Sequence, residues 1–168
     1  ASYYYIEFLL NVYLLRRLPW YSKILKKWLI KSPKIYWRDT GLLHALLGVS
    51  GKDDLLNFPW VGNSWEGWVI EQILSQLSCR GKQFQAFFLR TSDQFEIDLI
   101  LEYSGKTWAI EIKLTSSPNT KDMKKLKKVS QMIDTDYSIL VSRTQHPIYG
   151  KNEGSMSLLS CIQLLLDQ

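Results

Sequence analysis

Three side chains in the second half of this 168-residue chain, Asp98, Glu111 and Lys113, have the types and spacing for metal-assisted phosphodiester chemistry. Hard carboxylate oxygens hold Mg²⁺ or Mn²⁺, ions that keep several of their own waters and meet a phosphate directly. Such an ion polarises a phosphoryl oxygen and activates a bound water, while a nearby lysine orients that water or neutralises developing charge. Glu111-Ile112-Lys113 taken alone is weak, because alternating opposite charges also suit any exposed strand face.

The elements that must carry these residues strengthen the case. Tyr103-Ser104-Gly105-Lys106 reads as a hairpin with Ser-Gly at its tip. With a two-residue loop, Tyr103 pairs with Lys106, and counting back along the ladder puts Asp98 directly opposite Glu111. Alternation then places Asp98, Ile100 and Glu102 on one face with Thr107, Ala109, Glu111 and Lys113. The other face, Ile97, Leu99, Leu101, Trp108, Ile110, Ile112 and Leu114, is uniformly apolar and must be core. Directly opposed carboxylates repel unless a cation relieves them, and a divalent metal and Lys113 are the candidates.

A helix adds an independent member. Over residues 64–77 the apolar stripe is Val69, Ile70, Ile73, Leu74 and Leu77, and Glu66 falls within it near the helix start. A carboxylate there is costly unless paired or coordinated, so Glu66 belongs with the site. Glu71, Gln72, Ser75 and Gln76 lie on the opposite, polar side, and Glu71 is expected to be solvated. Glu66, Asp98 and Glu111 form the expected metal set, with Lys113 as the fourth catalytic side chain.

The rest of the pattern predicts strands over 85–90, 95–103 and 106–114, a helix over 119–133, a strand over 137–142 and a helical element from about Leu158 to Leu166. Helix, three strands, helix and strand imply an α/β architecture with a mixed sheet covered by helices. Upstream, 22–31 reads as an amphipathic helix, 34–38 as a strand-like run, and Asp39 or Thr40 caps a helix to Leu47 that Gly48 ends. Helix and strand remain open alternatives for 3–15, and Pro19 stops whatever precedes it. The turn formers of 48–63 mark a boundary between a basic segment, 1–50, and a main domain, 51–168. Gly48, Gly51 and Lys52 do not make a phosphate loop: two residues, not four, separate the glycines, and Asp53 follows the lysine. No nucleotide is expected to bind this chain.

Charge is unevenly placed. Residues 1–50 hold eight basic side chains against two acidic, a balance of +6, whereas the remainder balances at −1. Lys26, Lys27 and Lys31 there, and Lys124, Lys125 and Lys128 on the 119–133 helix, are candidate phosphate contacts. A solvated face is the ordinary alternative for both clusters. Seven Trp and nine Tyr must be buried or contact something, and packing is the expected use for most of the tryptophans, with base stacking as the alternative. His44 and His146 lack partners at metal-ligand spacing, and Cys79 and Cys161 make neither a metal pair nor a disulfide framework. With no apolar run of membrane length and no leader pattern, a cytoplasmic setting is expected.

Glu66, Asp98 and Glu111-Ile112-Lys113 resemble the PD-(D/E)XK, or restriction-endonuclease-like, nucleases, which include archaeal-type Holliday junction resolvases. The blocks LPWYSKILKKWLIKSPKIYWRDTGLLHALLG (18–48), GNSWEGWVIEQIL (62–74) and FFLRTSDQFEIDLIL with AIEIKLT (87–115) resemble the C-terminal domain of bacterial and archaeal AAA-superfamily ATPases. The resemblance implies a restriction-endonuclease-like core after a basic helical or winged segment, Mg²⁺ or Mn²⁺ as cofactor, and DNA and an ATPase module outside this chain as partners, with self-association into a homo-oligomer also open. A nuclease fold that has lost cutting and serves as an interaction module is the rival expectation. After Ser116 no further catalytic helix residue aligns.

Overall fold

The computed structural model describes residues 2–22, 32–91 and 95–168. Among the described residues six strands form one mixed sheet, in the order β3 (Phe84–Arg90), β4 (Glu96–Tyr103), β5 (Lys106–Ile112), β6 (Tyr137–Ser142), β8 (Glu153–Ser157) and β7 (Ile148–Tyr149). β3, β4 and β5 make an antiparallel meander. β6 and β8 extend it in parallel, and the short β7 closes the far edge antiparallel to β8. The β4–β5 turn is two residues long, with Ser104 and Gly105 both at positive φ (53° and 70°), the backbone that matches strand twist in a tight hairpin. The expected register follows, from Tyr103 opposite Lys106 to Leu99 opposite Ile110.

Each face of the sheet has its own core. The helix Val61–Cys79 (α4) buries Val69, Ile70, Ile73, Leu74 and Leu77 on one face, beside Leu99, Leu101, Trp108 and Ile110. The last helix, Leu158–Leu166 (α6), adds Cys161 and Leu165 to that layer. Trp108 is fully buried and stacks on Tyr137 with ring centroids 3.9 Å apart, so its truncation to alanine costs on the order of 3–5 kcal/mol. On the opposite face Leu126, Val129 and Ile133, from or next to the helix Thr120–Met132 (α5), pack on Ile100, Ala109 and Leu140. Asn119 and Asp122 form a capping box at the start of α5.

The first part of the chain lies against the end of this sandwich. A helix, Ser2–Asn11 (α1), leads into a two-stranded antiparallel ribbon of β1 (Leu15–Leu18) and β2 (Lys34–Trp37). Beyond β1, Phe88 donates its N–H to the Pro19 carbonyl and Tyr21 donates to the Phe88 carbonyl, which covers the free edge of β3. A short helix, Thr40–Leu46 (α2), is capped by Asp39, whose side chain accepts from the Leu42 N–H, and Gly48 follows at φ 71°. Among the described residues no helix is long and apolar enough to cross a membrane.

Several expectations are corrected. The turn-rich stretch 48–63 contains a six-residue helix, Lys52–Asn57 (α3), and the start of α4. β7 and β8 were not expected; Glu153-Gly154-Ser155-Met156-Ser157 has little strand propensity and is held by pairing to β6. The three consecutive tyrosines of α1, Tyr3, Tyr4 and Tyr5, stay exposed, with the Tyr3 and Tyr4 rings meeting edge to face at 6.4 Å. Most of the expected helix 22–31, including Lys26, Lys27 and Lys31, lies outside the described residues.

Candidate metal centre

The site forms where β4 and β5 part. Odd-numbered residues of β5 turn their backbone toward β6, as the bond from the Lys113 N–H to the Val141 carbonyl (2.9 Å) shows. Even-numbered ones therefore face β4, and an unbroken ladder would pair Ile112 with Ile97. The ladder instead ends at Leu99 and Ile110, and the Ile112 N–H is donated to Asp98 Oδ2 at 2.8 Å. A side-chain carboxylate thus replaces a backbone carbonyl at the split. Ile97 leaves the expected core face and packs with Leu89, Ile100 and Ala109 on the α5 side, next to a register shift in the β3–β4 pairing.

The expected pairing of Asp98 with Glu111 lies one step beyond the end of the ladder; the two carboxylates line one cleft, and the Glu111 charge reaches Asp98. Both are 7% exposed. Burial, and then the neighbouring charges of Glu111 and Glu66, push the Asp98 carboxyl well above its usual range. Burial also raises Glu111, against the opposing pull of Lys113, whose Nζ lies 2.7 Å from Glu111 Oε1. Burial works against the charge on Lys113, but Glu111 and Asp98 hold its pKa above the ordinary value. Asp98, Glu111 and Lys113 line a cleft of about 650 Å³ together with Glu66.

Glu66 enters from the first turns of α4, and two side chains that sequence reasoning did not single out meet it there. Lys34 Nζ lies 2.8 Å from Glu66 Oε1, and the Tyr36 hydroxyl donates to the same oxygen. Lys34 also pairs with Glu96 and stands 3.8 Å from Asp98 Oδ1. Burial opposes its charge, but Glu66, Glu96 and Asp98 together keep its pKa raised. Burial, and then the Glu66 charge, raise the Tyr36 phenol. A signal existed for each: Lys34 and Tyr36 alternate on one face of β2, and Glu96 shares its parity with Asp98. Gly67 makes the docking of β2 onto α4 feasible, since a Cβ there would stand 2.8 Å from the Tyr36 ring.

The expectation that Glu71 is solvated is overturned. Glu71 is 7% exposed and accepts from Arg16 Nε (2.5 Å), Arg38 Nε (2.9 Å) and the Ser75 hydroxyl (2.8 Å). Burial raises its pKa, but these donors prevail and hold it below the ordinary value. The polar side of α4 is therefore the seat of the β1–β2 ribbon. His44 bonds to Ser64 Oγ at 2.7 Å and lies near the Trp60 ring, a packing role.

Of the lysines proposed for nucleic acid, Lys125 lines the cleft, and its charge opposes the rise in the Glu111 pKa. Lys128 sits over the Phe95 ring at 5.0 Å, and Lys124 is exposed. Among the described residues no three His, Cys, Asp or Glu side chains are grouped to hold an ion. The donor chemistry nevertheless fits a hard divalent cation, because Asp98 and Glu111 offer carboxylate oxygens to one cleft and Mg²⁺ completes its shell with water. Glu66 and Glu96 are further carboxylates of the cleft, Glu66 held by Lys34 and Tyr36 and Glu96 by Lys34.

No solved structure matches the chain. It is 41% identical over 116 residues to "Uncharacterized protein Rv2008c" of Mycobacterium tuberculosis and, equally, to "Uncharacterized protein Mb2031c" of Mycobacterium bovis. The match covers 68% of this chain and 25% of each relative, so the chain spans about a quarter of the length of the curated relatives it matches. Residues 3–53 match a domain of unknown function, DUF8612. Residues 61–161, which carry the six-stranded sheet, most of both cores and the carboxylates of the cleft, match another domain of unknown function, DUF4143, and the chain belongs to that family.

Proposed function

We propose that this domain is a divalent-metal-dependent DNA-binding and DNA-cleaving module of the restriction-endonuclease-like type, acting with an AAA-superfamily ATPase. The observation that carries the proposal is the buried Asp98 carboxylate at the split of β4 and β5, in one cleft with Glu111 and with Lys113, which is paired to Glu111. Neighbouring buried carboxylates destabilise a fold unless their charge is used, and a cation bound between them uses it. Asp98, Glu111 and, once released, Glu66 hold the ion, which supplies Lewis acidity toward a phosphodiester. Lys113 orients the attacking water and offsets charge developing on the phosphoryl group, while Lys125 at the cleft wall meets the DNA backbone. The element order helix, meander, helix and strand suits that fold type, and the greater length of the relatives leaves room for an ATPase module.

Calorimetric titration with Mg²⁺ and Mn²⁺, with cleavage assays on duplex, branched and single-stranded DNA, tests the proposal. Asp98→Asn keeps the shape but removes the charge, and it abolishes both metal binding and cleavage. Lys113→Ala keeps metal binding and loses cleavage; a Lys113→Ala protein that cuts like the parent removes Lys113 from the mechanism. One observation favours a second reading, an interaction module without nuclease activity: Lys34 already engages Glu66, Glu96 and Asp98. If the parent binds no divalent ion and cuts no DNA, even joined to its ATPase portion, that second reading replaces the first.

A further inference from the structure

The cleft contains a cation that the chain itself supplies. Lys34 Nζ is placed among Glu66 (2.8 Å), Asp98 (3.8 Å) and Glu96, and its side chain is 19% exposed. An ammonium is a compact charge with three donors, so one lysine can answer several carboxylates at once. A divalent ion drawing on Asp98 and Glu66 seeks the same oxygens, and two cations a few ångström apart in a partly buried site repel strongly. The delivery of Lys34 is built into the fold. Arg16 on β1 and Arg38 just after β2 both grip Glu71, Tyr36 donates to Glu66, and Gly67 leaves the space that the Tyr36 ring fills.

We propose that Lys34 is the resident counter-cation of Glu66 and Asp98, displaced when a divalent ion binds, so that the β1–β2 ribbon sets the divalent concentration at which the site loads. The inference rests on the metal-site reading above. The flexible four-carbon stem lets the ammonium swing toward solvent without unpairing β1 from β2, while Glu66 and Asp98 exchange one cation for another. Lys34 is then a positioning residue: it keeps the carboxylates apart and charged-matched before loading, and it gives way only to an ion that binds them more strongly.

Mn²⁺ titration of the parent, Lys34→Met and Lys106→Met tests this directly. Methionine keeps the apolar stem, and Lys106, at the far end of β5, pairs with Asp136 away from the cleft. Lys34→Met is expected to bind Mn²⁺ at least about tenfold more tightly than the parent, a change of roughly 1.4 kcal/mol, and to melt at a lower temperature without metal. Lys106→Met is expected to change affinity by no more than about twofold, the weak effect of a distant, exposed charge. Lys34→Met binding no more tightly than the parent, or tightening no more than Lys106→Met, overturns displacement while leaving the metal site standing. Absence of Mn²⁺ binding in the parent and in all variants overturns the metal site itself, and displacement with it. A second measurement needs no variant: in the ¹⁵N spectrum of the parent, the Lys34 ammonium signal, protected without metal, should exchange with solvent once Mg²⁺ saturates the protein. An ammonium signal that stays protected at saturating Mg²⁺ also overturns displacement.

Discussion

Glu71→Gln isolates the anchor that holds the β1–β2 ribbon, and with it Lys34 and Tyr36, against α4. The glutamine keeps the shape of the side chain but removes the charge that Arg16, Arg38 and Ser75 surround. Breaking a buried pair by neutralising one partner costs roughly 3–5 kcal/mol, because the other charge is left uncompensated. Arg16 and Arg38 keep 21% and 31% side-chain exposure and regain some hydration, which favours the lower end of that range, about 3 kcal/mol. In a domain of this size that is a fall of about 6–12 °C in melting temperature. The pH dependence has a definite sign. The folded pKa of Glu71 lies below its unfolded value of about 4.3, so its contribution is fully present above that value. It is lost as pH falls through the folded pKa, and the gap between parent and variant narrows over the same interval. Urea unfolding of both proteins at pH 7 and at descending pH measures this. A loss below about 1 kcal/mol at pH 7, the worth of a surface pair, or a gap that does not narrow in acid, refutes the anchor.

The opposite sign is expected at Asp98. Its folded pKa is raised above an unfolded value of about 3.9, so metal-free parent protein loses stability as pH rises from there through the folded pKa; Asp98→Asn should flatten that slope, and parallel slopes in chelator would show that the carboxylate is not frustrated. Reversing Lys124, Lys125 and Lys128 to Glu should weaken DNA binding regardless of base sequence and reduce its salt dependence, as read by fluorescence anisotropy across a salt series. An unchanged salt slope assigns those lysines to solubility.

What the sequence by itself determined is what neighbours along the chain can enforce. Ser104-Gly105 selects a two-residue turn, and the turn sets the register from Tyr103 opposite Lys106 to Leu99 opposite Ile110, one step short of Asp98 and Glu111. Helical periodicity likewise puts Glu66 on the side of α4 that faces the sheet, and Asp39 and Gly48 bound α2 through local capping. What only the tertiary structure decided is which element covers which polar surface. Periodicity marks the Glu71 side of α4 as polar, but it does not distinguish water from two arginines arriving from a ribbon more than thirty residues upstream. The same holds for Lys34, which belongs to the site only because β2 lies on α4 over Gly67, and for β8, whose small polar residues become a strand only because β6 offers a free edge. Ile97 shows the limit inside one hairpin: alternation assigns it to one core, yet the Asp98 carboxylate takes the backbone bond that would have held it there, and it packs in the other.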